Sequence, residues 1–278
     1  IFVIDSGNST STTRPVGIIP TRFPQSSYVM PWHPCLTRVQ DNITSIEASV
    51  VECAMVGCSS IWIICDEKTQ PLIKYRIGDY VKDPMQLVKS SFTKFPAENQ
   101  VDIPIYYYMT HPRDRLRRSG MGWDILNTAL TIYHFSKKLT RWVVPDKYYI
   151  SSPQGLYDIA SVKVFRELFR RNETGHLAYN SDGPAEGLFT GFGTTGKSMR
   201  EAIVELKRIH PLGRSHELSL KELAEHLLLG ASQKIELKQY FTCNSWENYV
   251  YYISNREYTY EFDREQYFNM KSFGVNDE

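Results

Sequence analysis

The run SIWIIC, Ser60 to Cys65, is apolar at five consecutive positions. A strand with one wet face alternates polar and apolar residues, so a run apolar on both faces belongs to a strand covered on both sides. The run directly follows TSIEASVVECAMVG, Thr44 to Gly57, which reads as a helix. Thr44 is placed to cap its start, and Glu47 three residues on completes a capping box. Ile46, Val50, Ala54 and Gly57 share one face, widened by Val51 and Met55. Gly57 is a natural stop. A capped helix leading into a doubly covered strand is half of a βαβ unit.

The same alternation runs through most of the chain. VGII (Val16 to Ile19) predicts an inner strand, with Pro20-Thr21-Arg22 as the loop leaving its carboxyl end. PLIKYRIGDYV reads as a helix, DIPIYYYM as a strand, GWDILNTALTIYHFSKK as a helix, KYYIS as a strand and DIASVKVFRELFRRN as a helix. Later come GLFTGFG, a strand with glycines, and TGKSMREAIVELKRI, a helix. SLKELAEHLLLG is a helix with Ser219 and Glu222 as its capping box, KIELKQYF a strand and SWENYVYYIS a short helix. Strands and helices at this spacing predict an α/β fold: a three-layer αβα architecture around a mostly parallel central sheet. Ligands of such sheets gather at the carboxyl edge. We expect an N-terminal extension over residues 1–15, one domain over 16–255, and a packed, Tyr- and Phe-rich C-terminal extension over 256–278.

Net charge is +1 over 278 residues, so no global field favours nucleic acid or an acidic membrane. No apolar run approaches the ~18 residues of a membrane span. The five cysteines, Cys35, Cys53, Cys58, Cys65 and Cys243, contain no C-x-x-C pair. They read as reduced core thiols of a cytoplasmic protein. No histidine has metal-ligand spacing.

Taken in order, the pieces resemble the sugar-nucleotide nucleotidyltransferases, the family of glucose-1-phosphate thymidylyl- and uridylyltransferases, from about Val16 to Ile253. IPTRFPQSSYVMPWHPCL resembles that family's first loop, G-x-G-T-R-F…M-P-K-P, keeping Thr21-Arg22-Phe23 and Met30-Pro31. SGMGWDIL resembles its G-T-A-x-A-L turn, SPQGLYD its N-G-D-x-L-Y-D strand end, and LFTGFG its F-T-G-I-Y strand. SHELSLKEL is similar to G-E-L-x-L-T-D-A-L, and FTCNSWENY to F-D-x-G-T-P-E-D-Y. The resemblance implies a nucleotide-diphospho-sugar transferase, GT-A-like fold. It implies phosphoryl transfer in which a sugar-1-phosphate attacks a nucleoside triphosphate, with Mg²⁺ held by two carboxylates. It places Arg22 and His33 as catalytic candidates. Thr21, Arg22, Gly120, Gly122, Arg113 and Arg118 become nucleotide- or phosphate-binding candidates, and Glu217 and Gly191 sugar-binding ones.

The departures from that pattern fall on the chemistry. Pro20 stands where the family has glycine, and proline offers no N–H to a phosphate. Trp32 or His33 stands where the family has lysine. Pro153-Gln154 replaces Gly-Asp, and Thr242 replaces the second aspartate, so Gln154 and Thr242 mark degenerate metal positions. Asp124 and Asp158 are the nearest substitutes, each equally readable as a helix-start carboxylate. The expectation is a nucleotidyltransferase-like binding, regulatory or assembly subunit without a metal. The alternative is an atypical active transferase using Mg²⁺. Expected partners are a nucleotide or sugar phosphate and a protein, either a different chain or a second copy. Two further segments carry phosphate-binding chemistry on paper. HPRDRLRRSG sets Arg113, Arg115, Arg117 and Arg118 before the glycine turn, and GFGTTGKS (Gly191 to Ser198) spells a P-loop after a strand.

Overall fold

A computed structural model describes residues 15–22, 32–84, 102–111, 118–139, 144–179, 190–210, 217–228, 232–260 and 262–268. Its centre is an eight-stranded sheet in the order β11-β9-β10-β7-β1-β4-β6-β5. The strands are β1 (Pro15–Pro20), β4 (Ser60–Ile64), β5 (Tyr80–Lys82), β6 (Asp102–Tyr108), β7 (Lys147–Ile150), β9 (Thr174–Ala178), β10 (Phe192–Thr195) and β11 (Ser232–Glu236). Strands β7, β1, β4 and β6 are mutually parallel, and β11 runs parallel to β9; β10 and β5 run against their neighbours. Two small ribbons complete the β structure: β2 (Arg38–Gln40) with β3 (Ile43–Thr44), and β8 (Gly155–Leu156) with β12 (Phe241–Thr242).

Both faces of the sheet are covered, as the apolar runs require. Alternate residues of β1 show it: Val16 and Ile18 enter one core, Ile19 the other. The first core is closed by α3 (Met121–Leu139), α5 (Gly196–Ile209) and α6 (Leu220–Leu227). The second is closed by α1 (Ser45–Val56), a 3-10 turn over Ile159–Lys163 and α4 (Val164–Arg170). Helix α2 (Gln70–Ile77) adds Ile73 and Ile77 to this second core. Helices α7 (Trp246–Asn255) and α8 (Arg264–Tyr267) bring Tyr252, Tyr260, Phe262, Tyr267 and Phe268 onto it as well. Residues 256–260 and 262–268 thus pack against the same core as the central strands.

Helix α1 begins and ends as its sequence predicts. Glu47 accepts from the Thr44 backbone N–H at 2.8 Å and hydroxyl at 2.7 Å, and Gly57 takes φ 92° at the C-terminus. Yet α1 is not one-sided: every residue except Met55 is buried, because the Pro34–Leu36 and Ile159–Lys163 turns, β5 and α4 pack around it and Arg264 reaches Glu47 from the C-terminal segment. Two carboxylates therefore lie inside the protein, and each is answered. Glu47 pairs with Arg76 at 2.9 Å and with Arg264 at 2.5 Å, joining α1, α2 and α8. Glu52 accepts from Tyr149 at 2.5 Å, Tyr157 at 2.7 Å and Ser151 at 2.8 Å. Burial outweighs these three hydrogen bonds and raises its carboxyl to about 7.

Three sequence expectations change. PLIKYRIGDYV is not one helix: it stops at Ile77, Gly78 turns the chain, and Tyr80–Lys82 forms the antiparallel edge strand β5. The strand expected at Gly187 to Gly193 is Phe192–Thr195; residues 180–189 lie outside the described residues. KIELKQYF divides between β11 and the short β12. All five cysteines are buried and free of disulfides, and among the described residues no helix is long and apolar enough to cross a membrane.

Candidate functional site

The chain leaves β1 for β4 and β6 on one side, then returns for β7 on the other. Strand order therefore reverses beside β1, the place where open α/β sheets form a ligand crevice at their carboxyl ends. A cavity of about 250 Å³ opens there, lined by Thr21, Arg22, His33, Cys65, Asp66, Thr110 and Asp124. Six come from a strand's exit or from the helix facing it: Thr21 and Arg22 after β1, Cys65 and Asp66 after β4, Thr110 after β6, and Asp124 from the first turn of α3; His33 comes from the 3-10 turn at Pro34–Leu36.

Pro20 completes β1, and the loop begins one residue later than expected. Thr21 is turned into the sheet. Its N–H and hydroxyl both donate to the Ile64 carbonyl, at 3.1 and 2.7 Å, extending the β1–β4 ladder past the proline. Arg22, half exposed, pairs with the buried Asp124 at 3.3 Å, and the other Asp124 oxygen accepts from the Thr110 hydroxyl at 2.7 Å. Asp124 is thus both a first-turn carboxylate and a cleft residue. His33 caps the 3-10 turn Pro34–Leu36, its Nδ1 accepting from the Cys35 N–H. Burial lowers its pKa against the opposing pull of Asp66, so it faces the cleft as a neutral imidazole near pH 7 rather than as a charged phosphate ligand.

The glycine turn is built for packing. Gly120 has φ 111°, and a Cβ there would meet the Leu218 carbonyl at 2.5 Å; Gly122 donates its N–H to that carbonyl at 2.9 Å. The segment carrying Glu217 therefore docks on this turn, uniting two motifs nearly a hundred residues apart. Arg118 stacks 4.7 Å over Trp123 and donates to the His210 carbonyl, an intramolecular engagement. Arg113, Arg115 and Arg117 lie outside the described residues, as do Phe23, Met30 and Pro31. Gly191 lies in the interior: its N–H donates to the Tyr157 hydroxyl at 3.0 Å, and a side chain there would overlap Tyr149 and Glu52. Asp158 caps the 3-10 turn after β8, accepting from Ala160 N–H at 2.9 Å.

Strand direction rules out a P-loop at Gly191 to Ser198. Strand β10 runs antiparallel to β7, with Thr195 opposite Lys147, and Gly196 N–H donates to the Asp146 carbonyl at 2.6 Å. The spelled loop therefore lies at the entrance to β7, the sheet edge opposite the cleft. Thr195 caps α5, and Lys197 pairs with Glu201 at 3.8 Å.

Gln154 and Thr242 do meet. Thr242 pairs with Gly155 across the β8–β12 ribbon, and the Cys243 N–H donates to the Gln154 carbonyl at 2.8 Å. Gln154 is buried, with Nε2 3.5 Å from the Arg22 carbonyl and Oε1 without a hydrogen-bond partner. Thr242 accepts from Asn248 at 3.0 Å, and Asn248 also donates to Asn244 at 2.5 Å. Mg²⁺ prefers hard, charged oxygen ligands in an octahedral set. An amide and a hydroxyl already committed to Asn248 do not fit it, and among the described residues no group of three or more His, Cys, Asp or Glu side chains is gathered for a metal. Sequence reasoning passed over two residues at this corner: Trp246, whose ring lies 6.4 Å from that of Trp32, and Asn248. Their signal was present, since Trp32 is one of the two candidates for the lysine position, and Trp246 and Asn248 lie in the altered aspartate motif FTCNSWENY.

A mixed, mostly parallel sheet covered on both faces, with its crevice beside the first strand, defines a three-layer αβα protein with a ligand crevice at the carboxyl edge of its sheet. No family model matches the sequence, and no curated protein matches it. Solved structures do. One described as a glucose-1-phosphate thymidylyltransferase from Bacillus anthracis, in complex with sucrose, aligns with a TM-score of 0.56 at 11% identity, covering 86% of this chain and 93% of its own. A UDP-glucose pyrophosphorylase complexed with UDP-glucose gives 0.55 at 11% identity, covering 87% and 98%. The 4-diphosphocytidyl-2C-methyl-D-erythritol synthase of Anaerococcus prevotii gives 0.53 at 9%, covering 87% and 95%. The chain has the fold of the sugar-nucleotide nucleotidyltransferases.

Proposed function

We propose that this chain is a nucleotidyltransferase-fold protein that binds a nucleotide or sugar phosphate without metal-dependent transfer, and acts as a binding, regulatory or assembly subunit. One observation carries the reading: the two positions that the resemblance assigns to metal carboxylates come together as Gln154 and Thr242. Without anionic ligands at those two positions, a cation bridging two phosphates loses the carboxylates that the resemblance would give it. The change is supported around it. Pro20 withholds an N–H from the loop, and the resemblance's lysine is replaced by an indole or a neutral imidazole.

The Arg22–Asp124 pair favours a second reading, an active site rebuilt on Asp124. One assay separates the two. The protein is incubated with each nucleoside triphosphate, common sugar-1-phosphates and Mg²⁺, and pyrophosphate is measured. The first reading expects no release above background. Turnover of roughly 1 s⁻¹ or more, in the range of ordinary enzymes, would sink it and establish the second.

A further inference from the structure

The Gly-Lys-Ser spelling at the start of α5 lies on the sheet edge opposite the cleft, and cations collect there. The Arg200 guanidinium lies against the first residue of the helix: a Cβ on Gly196 would come within 3.3 Å of its Nη1. Arg200 also sits 5.7 Å from the centre of the Tyr133 ring on α3. Lys137, one turn further along α3, lies 6.0 Å from the same ring. Both cations are exposed, and among the described residues neither meets a carboxylate. The nearby carboxylates are answered by other groups. Glu201 pairs with Lys197 at 3.8 Å, and Asp146 faces the buried Lys147.

Tyr148 of β7 adds a buried donor. It belongs to the core that α3 and α5 close, is only 3% exposed, and its hydroxyl makes no hydrogen bond among the described residues. The charge of Arg200 reaches that hydroxyl, as does Tyr133. Burial pushes its pKa up against the pull of Arg200, so it stays a protonated donor at neutral pH. A buried hydroxyl without an acceptor costs free energy, and two cations held over one ring repel each other. Helix α5 adds the positive end of its dipole, although the Gly196 and Ser198 N–H groups are already taken by the Asp146 carbonyl and the Thr195 hydroxyl. Guanidinium, ammonium and phenol are all donors here. A ligand that answers them carries negative charge and offers several acceptor oxygens in a compact shell. A phosphate group does so, with two oxygens for the guanidinium fork.

We propose that the start of α5 is a phosphate-binding site separate from the cleft, in which Arg200 grips two oxygens, Lys137 supplies the second charge and the Tyr148 hydroxyl donates. Tyr133 holds the two cations in place. The ligand is inorganic phosphate or the phosphate of a small organic monoester. Lys197, the lysine that the motif nominates, is not part of the site, because Glu201 engages it. The site stands whether or not the cleft binds or turns over a nucleotide.

The test is titration of the whole chain with sodium phosphate, sodium sulfate and glycerol phosphate, at an ionic strength held constant with sodium chloride. The thermal midpoint and the phosphorus NMR line width are followed together. The expected result is saturable stabilisation by phosphate that chloride does not reproduce. Arg200→Gln should weaken binding roughly tenfold, the loss of a charge-assisted pair. Lys137→Gln and Tyr148→Phe should each weaken it roughly threefold. Arg200 and Lys137 are exposed and Tyr148→Phe keeps the ring, so all three variants should keep the wild-type circular dichroism spectrum. Tighter binding of glycerol phosphate than of phosphate assigns the site to an organic ester, and the reverse assigns it to the free ion. The absence of any saturable effect of phosphate or sulfate overturns the site. So does an effect that survives Arg200→Gln, or one that is lost with Arg22→Gln instead, which would put the phosphate in the cleft.

Discussion

Glu52 offers the sharpest physical test of the interior. It is fully buried on α1, and its carboxyl is raised from 4.5 to about 7 by burial, against hydrogen bonds from Tyr149, Tyr157 and Ser151. A carboxyl raised by folding binds its proton more tightly in the folded chain than in the unfolded one. Its stabilising effect is therefore complete below pH 4.5 and is lost as pH rises through about 7. A shift of this size, at about 1.36 kcal/mol per pKa unit, corresponds to about 3 kcal/mol. Glu52→Gln removes the titration while keeping the contacts. The amide oxygen still accepts from both tyrosines, and the amide N–H donates to Ser151, whose hydroxyl can accept. Urea unfolding of both proteins from pH 5 to 8.5 isolates the term, because other groups cancel in the difference. We expect Glu52→Gln to gain about 2.5 kcal/mol on the wild type between pH 5 and pH 8.5, the part of the loss that falls in this window. A constant difference would show that the three hydroxyl donors hold an ordinary carboxylate. A difference of opposite sign would show that they overwhelm burial, and either result refutes the reasoning.

Glu47→Ala should cost about 3–5 kcal/mol in chemical denaturation, because it leaves Arg76 and the buried Arg264 without their shared carboxylate. Arg264→Met, which keeps the volume, should lose more than Arg76→Met, since Arg76 is partly exposed and reaches water. Gly120→Ala should destabilise by about 1–3 kcal/mol in the same assay, because φ 111° and the Leu218 carbonyl both oppose a Cβ. An unchanged midpoint would show that the 119–122 turn yields without penalty. Raising the pH should not release reactive thiol from Cys35 below pH 9, since burial pushes its pKa well above the usual range. Rapid modification of Cys35 by a thiol reagent at pH 8, read by mass spectrometry, would contradict that packing.

Much of the frame was legible because it is written in local rules. The cap at Thr44, the stop at Gly57 and the doubly apolar Ile61 to Ile64 depend on neighbours within a turn or two. The sequence misled where partners are distant. Gly78-Asp79 reads as a wobble in a helix unless one knows that Tyr80–Lys82 will find Asp102–Pro104. The Gly-Lys-Ser spelling after β10 is in the right local context and on the wrong edge of the sheet, because strand direction is a global property. Glu47 and Glu52 look like the wet side of an amphipathic helix; distant partners put them inside, Arg76 and Arg264 for Glu47 and Tyr149, Ser151 and Tyr157 for Glu52. The cleft was half legible. Arg22 and Asp124 were both named, and Asp124, rather than Asp158, is the one that meets Arg22 across a hundred residues, which spacing alone could not choose. His33 was named as a catalytic candidate and does line the cleft, where burial lowers its pKa.

The Arg264–Glu47 contact also sets an order of events during synthesis. A ribosome exposes Glu47 and Arg76 long before Arg264 exists, so the partly exposed half of this network is available first and the buried half closes only with the last helix. The parallel strands laid down early cannot bury α1 on their own.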